Sequence, residues 1–333
     1  MQNVILVYPE FSDNGFWNYK EVCELIGAKY PAAPLGLITV AALLSQDWNL
    51  TLIDMDVEPI PDSEIENADL VIISGMLPQQ NNLLRLIDKV QKFGKKVAVG
   101  GPDPTEQPEV YEKADYLVLG EAEVSLEPFL NDYNNGVEAG TYKVDVKPDI
   151  TETVIPRYDL LKLDKYVMIG VQFCRGCPFN CEFCDIIEVF GRTPRSKSNA
   201  QVIRELEYLY KLGHRGHIDF VDDNFIGNKR KVKSLLRDLI AWSKEKNYPF
   251  YFSTEASINL ADDQELLELM RELDFRYIFV GIESPDPDIL EQTQKGQNVN
   301  RKIEDDLKKI YSYGMIVNAG FILGFDNESN KIA

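Results

Sequence analysis

Four of the five cysteines of the chain lie within residues 174–184, in the sequence CRGCPFNCEFC. Within this stretch Cys177, Cys181 and Cys184 have the spacing C-x3-C-x2-C. Thiolates are soft ligands, and a loop this short can surround an iron–sulfur cubane. Because three thiolates leave one iron of a four-iron cluster without a protein ligand, the spacing predicts a cluster with an open iron where chemistry can occur.

Other arrangements of these cysteines stay open on spacing alone. Four thiolates can form a zinc knuckle, although zinc sites usually draw paired ligands from two separated loops. A ferredoxin-type cluster would take Cys174 as its fourth ligand. A disulfide suits an oxidising compartment, but Cys23 is the only cysteine outside the stretch. The spacing favours the three-thiolate cluster over the ferredoxin type, and both over zinc.

The segment CPFNCEFC resembles the signature of the radical S-adenosylmethionine (SAM) enzymes, C-x3-C-x-aromatic-C. The resemblance implies that Cys177, Cys181 and Cys184 bind a [4Fe-4S] cluster whose open iron chelates the amino and carboxylate groups of SAM. It also implies that Phe183 lies beside the adenine. Cys174 is outside the signature, so we expect it not to be a ligand.

The second half of the chain positions this loop through a repeated strand and helix pattern. Strands are predicted at 167–173, 217–225, 250–257, 276–284 and 318–325. Parallel barrels place their sites at the carboxyl ends of their strands. The resemblance implies six such units, so residues 166–333 are expected to form a partial (β/α)6 radical SAM barrel, truncated after the fifth strand.

Polar residues follow these strands in the places where the family contacts SAM. By resemblance, acidic residues of the second strand contact the SAM amino group, those of the fourth lie by the ribose, and a G-x-I-x-G pattern on the fifth contacts the adenine. The implied SAM-binding set is Phe183, Asp222, Asp223, Glu255, Glu283, Ser284, Gly320 and Ile322. The alternative for each carboxylate is a helix N-cap or a solvated loop charge. His214 and His217 flank a turn at the other end of the barrel, where packing or surface roles are expected.

Residues 1–135 alternate short β-branched runs with helical patterns, which predicts a doubly wound, Rossmann-like parallel sheet. No G-x-G-x-x-G follows the first strand, so the dinucleotide fingerprint is absent. The turns SGM, GGPDP and LGEAE instead end three strands, at the edge where such sheets bind ligands. They suit the turns of any flavodoxin-like domain. Beside a radical SAM signature, however, they resemble the cobalamin (B12)-binding domain fused to many members of that superfamily.

The cobalamin-binding set that this resemblance implies is Ser74, Gly75, Gly100, Gly101, Pro102, Gly120 and Glu121. No histidine precedes His214, so no histidine of this half can bind cobalt from below. The aromatic residues of the first loop suit either an apolar pocket or core packing; they are Phe11, Phe16, Trp17 and Tyr19.

Length and charge limit the remaining possibilities. The 333 residues suffice for two domains, which we expect at 1–135 and 166–333 with a linker at 136–165. A net charge of -19 argues against nucleic acid as a partner, because phosphate binding needs clustered Lys and Arg. No signal peptide or transmembrane segment is visible in the sequence, so a cytoplasmic protein is expected, with peripheral membrane association left open.

Over nearly its whole length the chain resembles the cobalamin-dependent radical SAM group that includes the hopanoid C2 methylases, through phrases such as PLGLITVAALL, FVDDNFIGNK and VGIES. The resemblance implies methylation of an unactivated carbon of a small molecule or lipid, through a 5'-deoxyadenosyl radical and methylcobalamin. It also implies an electron donor such as flavodoxin or ferredoxin. Two alternatives remain: another cobalamin-linked radical SAM reaction such as oxidative cyclisation, or a truncated cofactor-binding remnant without turnover.

Overall fold

The structure, a computed structural model, describes residues 2–12 and 19–327. It divides the chain into a first unit, Met1–Ile169, and a second unit, Gly170–Ala333. The domain limits 1–135, 136–165 and 166–333 stay a prediction from the sequence. In the part of the chain that the structure describes, no helix has the length and apolar character needed to cross a membrane.

The first unit alternates strands and helices. In chain order they are β1 (Asn3–Tyr8), α1 (Lys20–Leu25), β2 (Tyr30–Ala32), α2 (Leu35–Leu43), β3 (Asn49–Asp54), α3 (Asp62–Asn67), β4 (Leu70–Ser74), α4 (Gln80–Lys92), β5 (Lys96–Gly100), α5 (Pro102–Glu106), β6 (Tyr116–Leu119), α6 (Ala122–Asn134) and β7 (Gly140–Lys143). The next strand, β8 (Tyr166–Val171), begins in this unit, where it pairs in parallel with β2.

The main sheet of the first unit has the strand order β3-β1-β4-β5-β6-β7, and all its pairings are parallel. Side chains alternate across a strand, so Val4 and Leu6 of β1 pack toward α2 and α6, whereas Ile5 and Val7 pack toward α4. Apolar side chains therefore cover both faces of the sheet. This doubly wound arrangement confirms the predicted fold class, and the strand order reverses between β1 and β4.

The second unit continues the alternation from β8. Its elements are β9 (Cys174–Arg175), α7 (Ile186–Val189), β10 (Arg195–Ser196), α8 (Asn199–Lys211), β11 (Gly216–Phe220), α9 (Lys229–Glu245), β12 (Phe250–Glu255), α10 (Gln264–Glu272), β13 (Phe275–Glu283), α11 (Pro287–Gln292), α12 (Ile303–Ser312) and β14 (Ile316–Phe321). The order β14-β13-β12-β11-β8 gives the five strands of a partial (β/α)6 barrel, as the sequence predicts.

The two faces of this second sheet differ in chemistry. On the face toward the helices, the rings of Phe220, Phe252 and Phe275 stack with centroids 5.3 to 6.1 Å apart. The opposite face, called the inner face below, carries His217, Asp219, Ser253, Glu255, Tyr277 and Phe279, because side chains alternate along each strand. The apolar face holds the sheet together, and the inner face is left for chemistry.

Candidate functional site

The cluster loop, residues 174–185, follows the carboxyl end of β8. Cys181 is buried, whereas Cys177 and Cys184 are partly exposed. The Cys177 amide donates to the carbonyl of Gly191 (3.3 Å), and the Cys184 amide donates to the carbonyl of Cys181 (3.2 Å). Backbone hydrogen bonds thus fix the loop on both sides of Cys181.

Cys174 is held in a different way from the three signature cysteines. It is almost fully buried, and its thiol donates to the backbone carbonyl of Asn224 at 3.7 Å. Burial, followed by the nearby charge of Asp222, raises the pKa of Cys174 far above its usual range. The thiol therefore stays protonated and has a structural partner.

The donor set of the loop fits a cluster better than a single metal ion. Within residues 2–12 and 19–327, no three His, Cys, Asp or Glu side chains converge on a point where one ion could sit. A tetrahedral zinc ion needs its thiolates about 2.3 Å from one such point. A cubane binds thiolates at different iron atoms, so Cys177, Cys181 and Cys184 need only surround a larger space. Burial raises the pKa of the Cys177 and Cys184 thiols, whose protons a cluster must displace.

Asp222 and Asp223 follow β11 and bind the backbone of the cluster loop. Asp222 is buried, and its carboxylate accepts the amides of Phe173 (3.1 Å) and Cys174. Asp223 accepts the Gly176 amide at 2.8 Å. Burial raises the pKa of Asp222 to about 7 and raises that of Asp223. Asp222 and Asp223, both predicted to contact SAM, therefore use carboxylate oxygens to position the loop.

Glu255 ends β12 on the inner face, beside a chain of polar side chains. His217 Nε2 lies 2.7 Å from the hydroxyl oxygen of Ser253, and that hydroxyl donates to Asp219. The Glu255 side chain is exposed to solvent. Desolvation by the protein around its carboxylate, followed by the charges of Asp219 and Asp223, raises the pKa of Glu255 to about 7.

The two histidines pack on aromatic rings at the amino ends of their strands. His214 stacks on Phe250 (centroids 5.7 Å apart) and His217 on Tyr251 (4.8 Å). Burial lowers the pKa of His217 to about 4, so its ring is neutral at pH 7.

Glu283 ends β13 in the left-handed backbone region, with φ of 66°. Such a conformation is strained for a residue other than glycine and is common at binding sites. Its carboxylate pairs with Lys295 at 2.8 Å, and the Lys295 ammonium lies 5.7 Å from the centre of the Phe183 ring. The neighbouring Ser284 is buried and accepts the Asp286 amide at 3.1 Å. Lys295 thus links two predicted SAM residues, Glu283 through an ion pair and Phe183 through a cation–π contact.

Gly320 and Ile322 lie at the end of β14, close to β13. A Cβ on Gly320 would lie 2.8 Å from the ring of Phe279, so glycine makes room for that ring on the inner face. The Ile322 amide donates to the carbonyl of Glu283 at 2.9 Å.

A groove beside the cluster loop has room for a planar base. It measures about 510 Å³, and the residues that line it are Glu182, Phe183, Ile289, Gln292, Thr293 and 324–327. The ring centroids of Phe183 and Phe325 lie 6.1 Å apart, with the two ring planes tilted by 55°. Phe183 is therefore placed where a purine can stack on it.

The segment of residues 293–298, called the clamp segment, is not among the site residues that the sequence predicts. It joins α11 to α12, and it contacts four consecutive residues of the cluster loop. Gln294 accepts from Asn180 (2.6 Å), Gln297 donates to the Cys181 sulfur (3.6 Å), the Thr293 carbonyl accepts from Glu182 (3.0 Å), and Lys295 lies over Phe183. The polar run TQKGQN was a signal of a loop, but only the fold shows what it touches.

The predicted cobalamin residues cluster at the carboxyl ends of β4, β5 and β6. Ser74, Gly100, Gly101 and Gly120 line one apolar cavity, between the sheet and side chains of α2 and α6. A Cβ on Gly101 would lie 2.7 Å from Ser74 Oγ, and its φ of 107° also favours glycine. Glycine at position 101 therefore lets the end of β5 lie close against Ser74 and Gly75 at the end of β4.

The other three residues of that set have local roles. A Cβ on Gly75 would lie 2.8 Å from the side chain of Leu83. Pro102 is the first residue of α5, and Glu121 is buried at the start of α6. They flank the cavity in sequence but do not line it.

The first loop is only partly described. Phe11 is buried and stacks on Tyr30, with ring centroids 5.1 Å apart, whereas Tyr19 is exposed. Phe16 and Trp17 lie outside the described residues. Of the two described residues, Phe11 therefore packs near the end of β1 and Tyr19 does not belong to that core.

Both halves of the chain match known families. Residues 171–332 match the radical SAM superfamily, and residues 25–130 match the B12 binding domain. The chain therefore contains a radical SAM domain and a B12-binding domain.

Two similar proteins are methyltransferases by name. The chain is 50% identical over 326 residues to an uncharacterized methyltransferase of Synechocystis sp., covering 97% of this chain and 61% of that protein. It is 34% identical over 334 residues to the hopanoid C-2 methylase of Rhodopseudomonas palustris, covering 98% of this chain and 63% of that protein. The chain thus spans about three fifths of the length of these two relatives.

Solved structures agree on the fold. The radical S-adenosylmethionine methyltransferase TsrM from Kitasatospora setae superposes with a TM-score of 0.78 at 15% identity, over 100% of this chain and 69% of that one. The cobalamin-dependent radical enzyme OxsB, with aqua-cobalamin bound, superposes with a TM-score of 0.77 at 19% identity, over 97% of this chain and 49% of that one. At such low identity these likenesses concern the fold alone.

Proposed function

We propose that this chain is the cofactor-binding part of a cobalamin-dependent radical SAM methyltransferase acting on an unactivated carbon. The observation that carries the proposal is the cluster loop after β8, in which backbone hydrogen bonds hold Cys177 and Cys184 and side-chain amides contact the sulfurs of Cys177 and Cys181. The glycine-lined cavity at the strand ends of the first unit adds a second cofactor site.

Different residues of the second unit would bind the cluster and hold the cluster loop in place. Cys177, Cys181 and Cys184 would bind a [4Fe-4S] cluster. Asp222 and Asp223 keep the loop in place by accepting its amides. When bound, the cluster with SAM supplies a 5'-deoxyadenosyl radical and cobalamin supplies the methyl group, so the protein's task is orientation and exclusion of water.

Several side chains near the loop can hold SAM. The groove lined by Phe183 can take its adenine against the exposed part of the Phe183 ring. Glu255 is an acceptor for the SAM amino group, because it reaches the open end of the inner face. The strained backbone at Glu283 and the close approach at Gly320 suit the ribose and adenine contacts of the family.

Cobalamin would lie over the carboxyl ends of β4, β5 and β6. Gly100 and Gly101 let the ends of these strands lie close together, because a Cβ on either glycine would clash with the neighbouring strand end. The apolar cavity beside them can take an apolar group. No histidine precedes His214 in the chain, so no histidine of this unit is available as a lower cobalt ligand.

The hopanoid C-2 methylase among the relatives supports a lipid or isoprenoid as methyl acceptor. A relative of Rubrivivax gelatinosus, an anaerobic magnesium-protoporphyrin IX monomethyl ester cyclase, supports the second candidate, oxidative cyclisation, at 24% identity over 54% of this chain. Either reaction would draw its electrons from a donor such as flavodoxin or ferredoxin.

The test begins with anaerobic reconstitution of the chain and electron paramagnetic resonance of the reduced protein with and without SAM. We expect a cubane signal that changes when SAM is added, because SAM occupies the open iron. A spectrum that is unchanged by SAM would favour a cluster bound by four thiolates. SAM carrying a labelled methyl group and cob(I)alamin are then supplied together. Label transferred to cobalamin supports methyl transfer, whereas SAM cleavage without transfer favours cyclisation.

A further inference from the structure

Two side-chain amides lie against the sulfurs of the signature cysteines. Gln297 Nε2 lies 3.6 Å from Cys181 Sγ, and Asn224 Nδ2 lies 3.8 Å from Cys177 Sγ. Both distances suit N–H···S hydrogen bonds, which are longer than bonds to oxygen because sulfur is larger. Neither residue belongs to the cysteine signature, and they come from different parts of the chain.

Gln297 is held in place by the segment around it. Lys295 forms the ion pair with Glu283, and Asn298 donates to the carbonyls of Gly281 and Ile282 at 3.0 Å each. The clamp segment is therefore anchored to the end of β13, so Gln297 has little freedom to move away from the cluster loop.

The orientation of the Gln297 amide follows from chemistry. A thiolate accepts hydrogen bonds, and only the NH₂ end of a glutamine amide can donate one. The opposite flip would bring the amide oxygen against a negatively charged sulfur. The Gln297 oxygen is buried and has no hydrogen-bond partner among the described residues, so no competing contact favours that flip.

We propose that Gln297 raises the reduction potential of the cluster by donating a hydrogen bond to the Cys181 thiolate. The inference rests on the proposed function, in which Cys181 is a cluster ligand. Reduction moves one electron from an external reductant onto the cluster, with no bond broken, and increases the negative charge on its sulfurs. A donor at a ligand sulfur stabilises this more negative state. Gln297 thereby acts as a positioning and tuning residue that makes the cluster easier to reduce.

Gln297 gives a cleaner test than Asn224. Asn224 also donates to Ser257 at 3.2 Å, and its backbone carbonyl accepts the Cys174 thiol. Its replacement would disturb several contacts at once. Gln294 offers a matched control, because Gln294→Leu removes a contact with Asn180 of the cluster loop but no contact with sulfur.

The experiment is a potentiometric titration of the anaerobically reconstituted chain with dithionite, followed by electron paramagnetic resonance. In Gln297→Leu we expect the equilibrium constant for reduction to fall about tenfold, which is about 59 mV in midpoint for one electron. Gln297→Glu replaces the donor by a negative acceptor and should lower the midpoint further. Gln294→Leu should stay within about 20 mV of wild type, less than a threefold change on the same conversion.

The outcomes separate this inference from the proposed function. A wild-type chain that takes up no cluster overturns the proposed function and this inference with it. Loaded Gln297 variants that keep the wild-type midpoint overturn this inference alone. So does an equal shift in Gln294→Leu, because it would assign the effect to a looser loop. If Gln297→Leu assembles no cluster, the midpoint of Gln297→Glu decides.

Discussion

The strand ends of the two parallel sheets carry opposite kinds of residues. In the second unit the strand ends carry thiols, carboxylates and amides. These side chains also bind the surrounding protein, since Asp223 accepts the Gly176 amide and Glu283 pairs with Lys295. In the first unit the strand ends carry glycines, and the cavity beside them is apolar. The strand ends of the second unit present polar side chains, whereas those of the first unit present backbone and an apolar cavity.

This difference follows from what each proposed cofactor needs. An iron–sulfur cluster requires covalent thiolate ligands, and SAM is charged, so their site needs specific polar groups. A corrin is large and flat, so close contact depends on the absence of side chains. The cluster and SAM site should lose its ligand when a side-chain group is removed. The corrin site should lose its ligand when a side-chain group is added.

The largest effect is expected from removing a thiolate in the second unit. Cys181→Ser should abolish stable cluster assembly, because serine is a poor ligand for iron and Cys181 is the most buried of the three ligands. Iron and sulfide content after reconstitution would measure the loss. Cys174→Ser is the control: its hydroxyl can donate to the Asn224 carbonyl as the thiol does, so cluster content should stay near wild type. Equal loss in both variants would instead make Cys174 a ligand.

The next effect is expected from adding a methyl group in the first unit. Gly101→Ala places a Cβ 2.7 Å from Ser74 Oγ and 2.8 Å from the Gly75 carbonyl, in a backbone with positive φ. We expect cobalamin affinity to fall by about tenfold or more, which is about 1.4 kcal/mol. Titration with hydroxocobalamin, with circular dichroism as a check on folding, measures it.

Two control variants separate the causes of that loss. Gly120→Ala carries a positive φ of 79° but has no atom within 4 Å of the added Cβ, so it isolates backbone strain from crowding. Gly36→Ala adds a Cβ in open space in α2. A folded Gly101→Ala chain that binds cobalamin like wild type would contradict a backbone-contact site.

The same contrast explains how much the sequence could predict. The cysteine spacing and the strand ends Asp222–Asp223 and Gly100–Gly101 were visible because each is local in sequence. The clamp segment was not, because its contacts with the cluster loop join residues more than 100 positions apart. Strands β2 and β7 were also missed. They have three and four residues, contain Pro31 and Gly140, and depend on the neighbouring strand rather than on their own propensity.

A smaller effect is expected at the ion pair that joins the clamp segment to β13. Lys295→Met leaves the Glu283 carboxylate, which is only 11% exposed, without its partner. We expect the free energy of unfolding of the second unit to fall by about 2 kcal/mol, less than for a fully buried pair. Lys308→Met breaks an exposed pair with Glu304 and should cost under about 0.5 kcal/mol. Urea unfolding of the cofactor-free chain compares them. Equal losses would mean that Glu283 is not held by Lys295.

The smallest effect concerns an exception to the contrast, a pair of buried carboxylates in the first unit. Asp54 is 4% exposed and accepts the Tyr166 hydroxyl at 2.8 Å. Burial raises the pKa of Asp54 to about 6, and burial together with the Asp54 charge raises that of Asp56 to about 7. The charged and titratable groups that face this pair are Tyr8, Glu10, Lys20, Tyr30, Glu58 and Tyr166.

The sign of the pH dependence follows from these shifts. Between the ordinary aspartate value near 4 and the raised values, the folded chain holds protons that the unfolded chain has released, so stability falls as pH rises from about 4 to about 7. In Asp54→Asn the loss of unfolding free energy between about pH 4 and about pH 7 should be smaller by about 1 to 2 kcal/mol. The amide oxygen of the new side chain can still accept from Tyr166. Asp47→Asn, at an exposed site, should keep the wild-type slope. Urea unfolding at a series of pH values, with and without hydroxocobalamin, measures both. If cobalamin abolishes the slope, Asp54 belongs to the ligand edge, and the first unit also uses a charged side chain there.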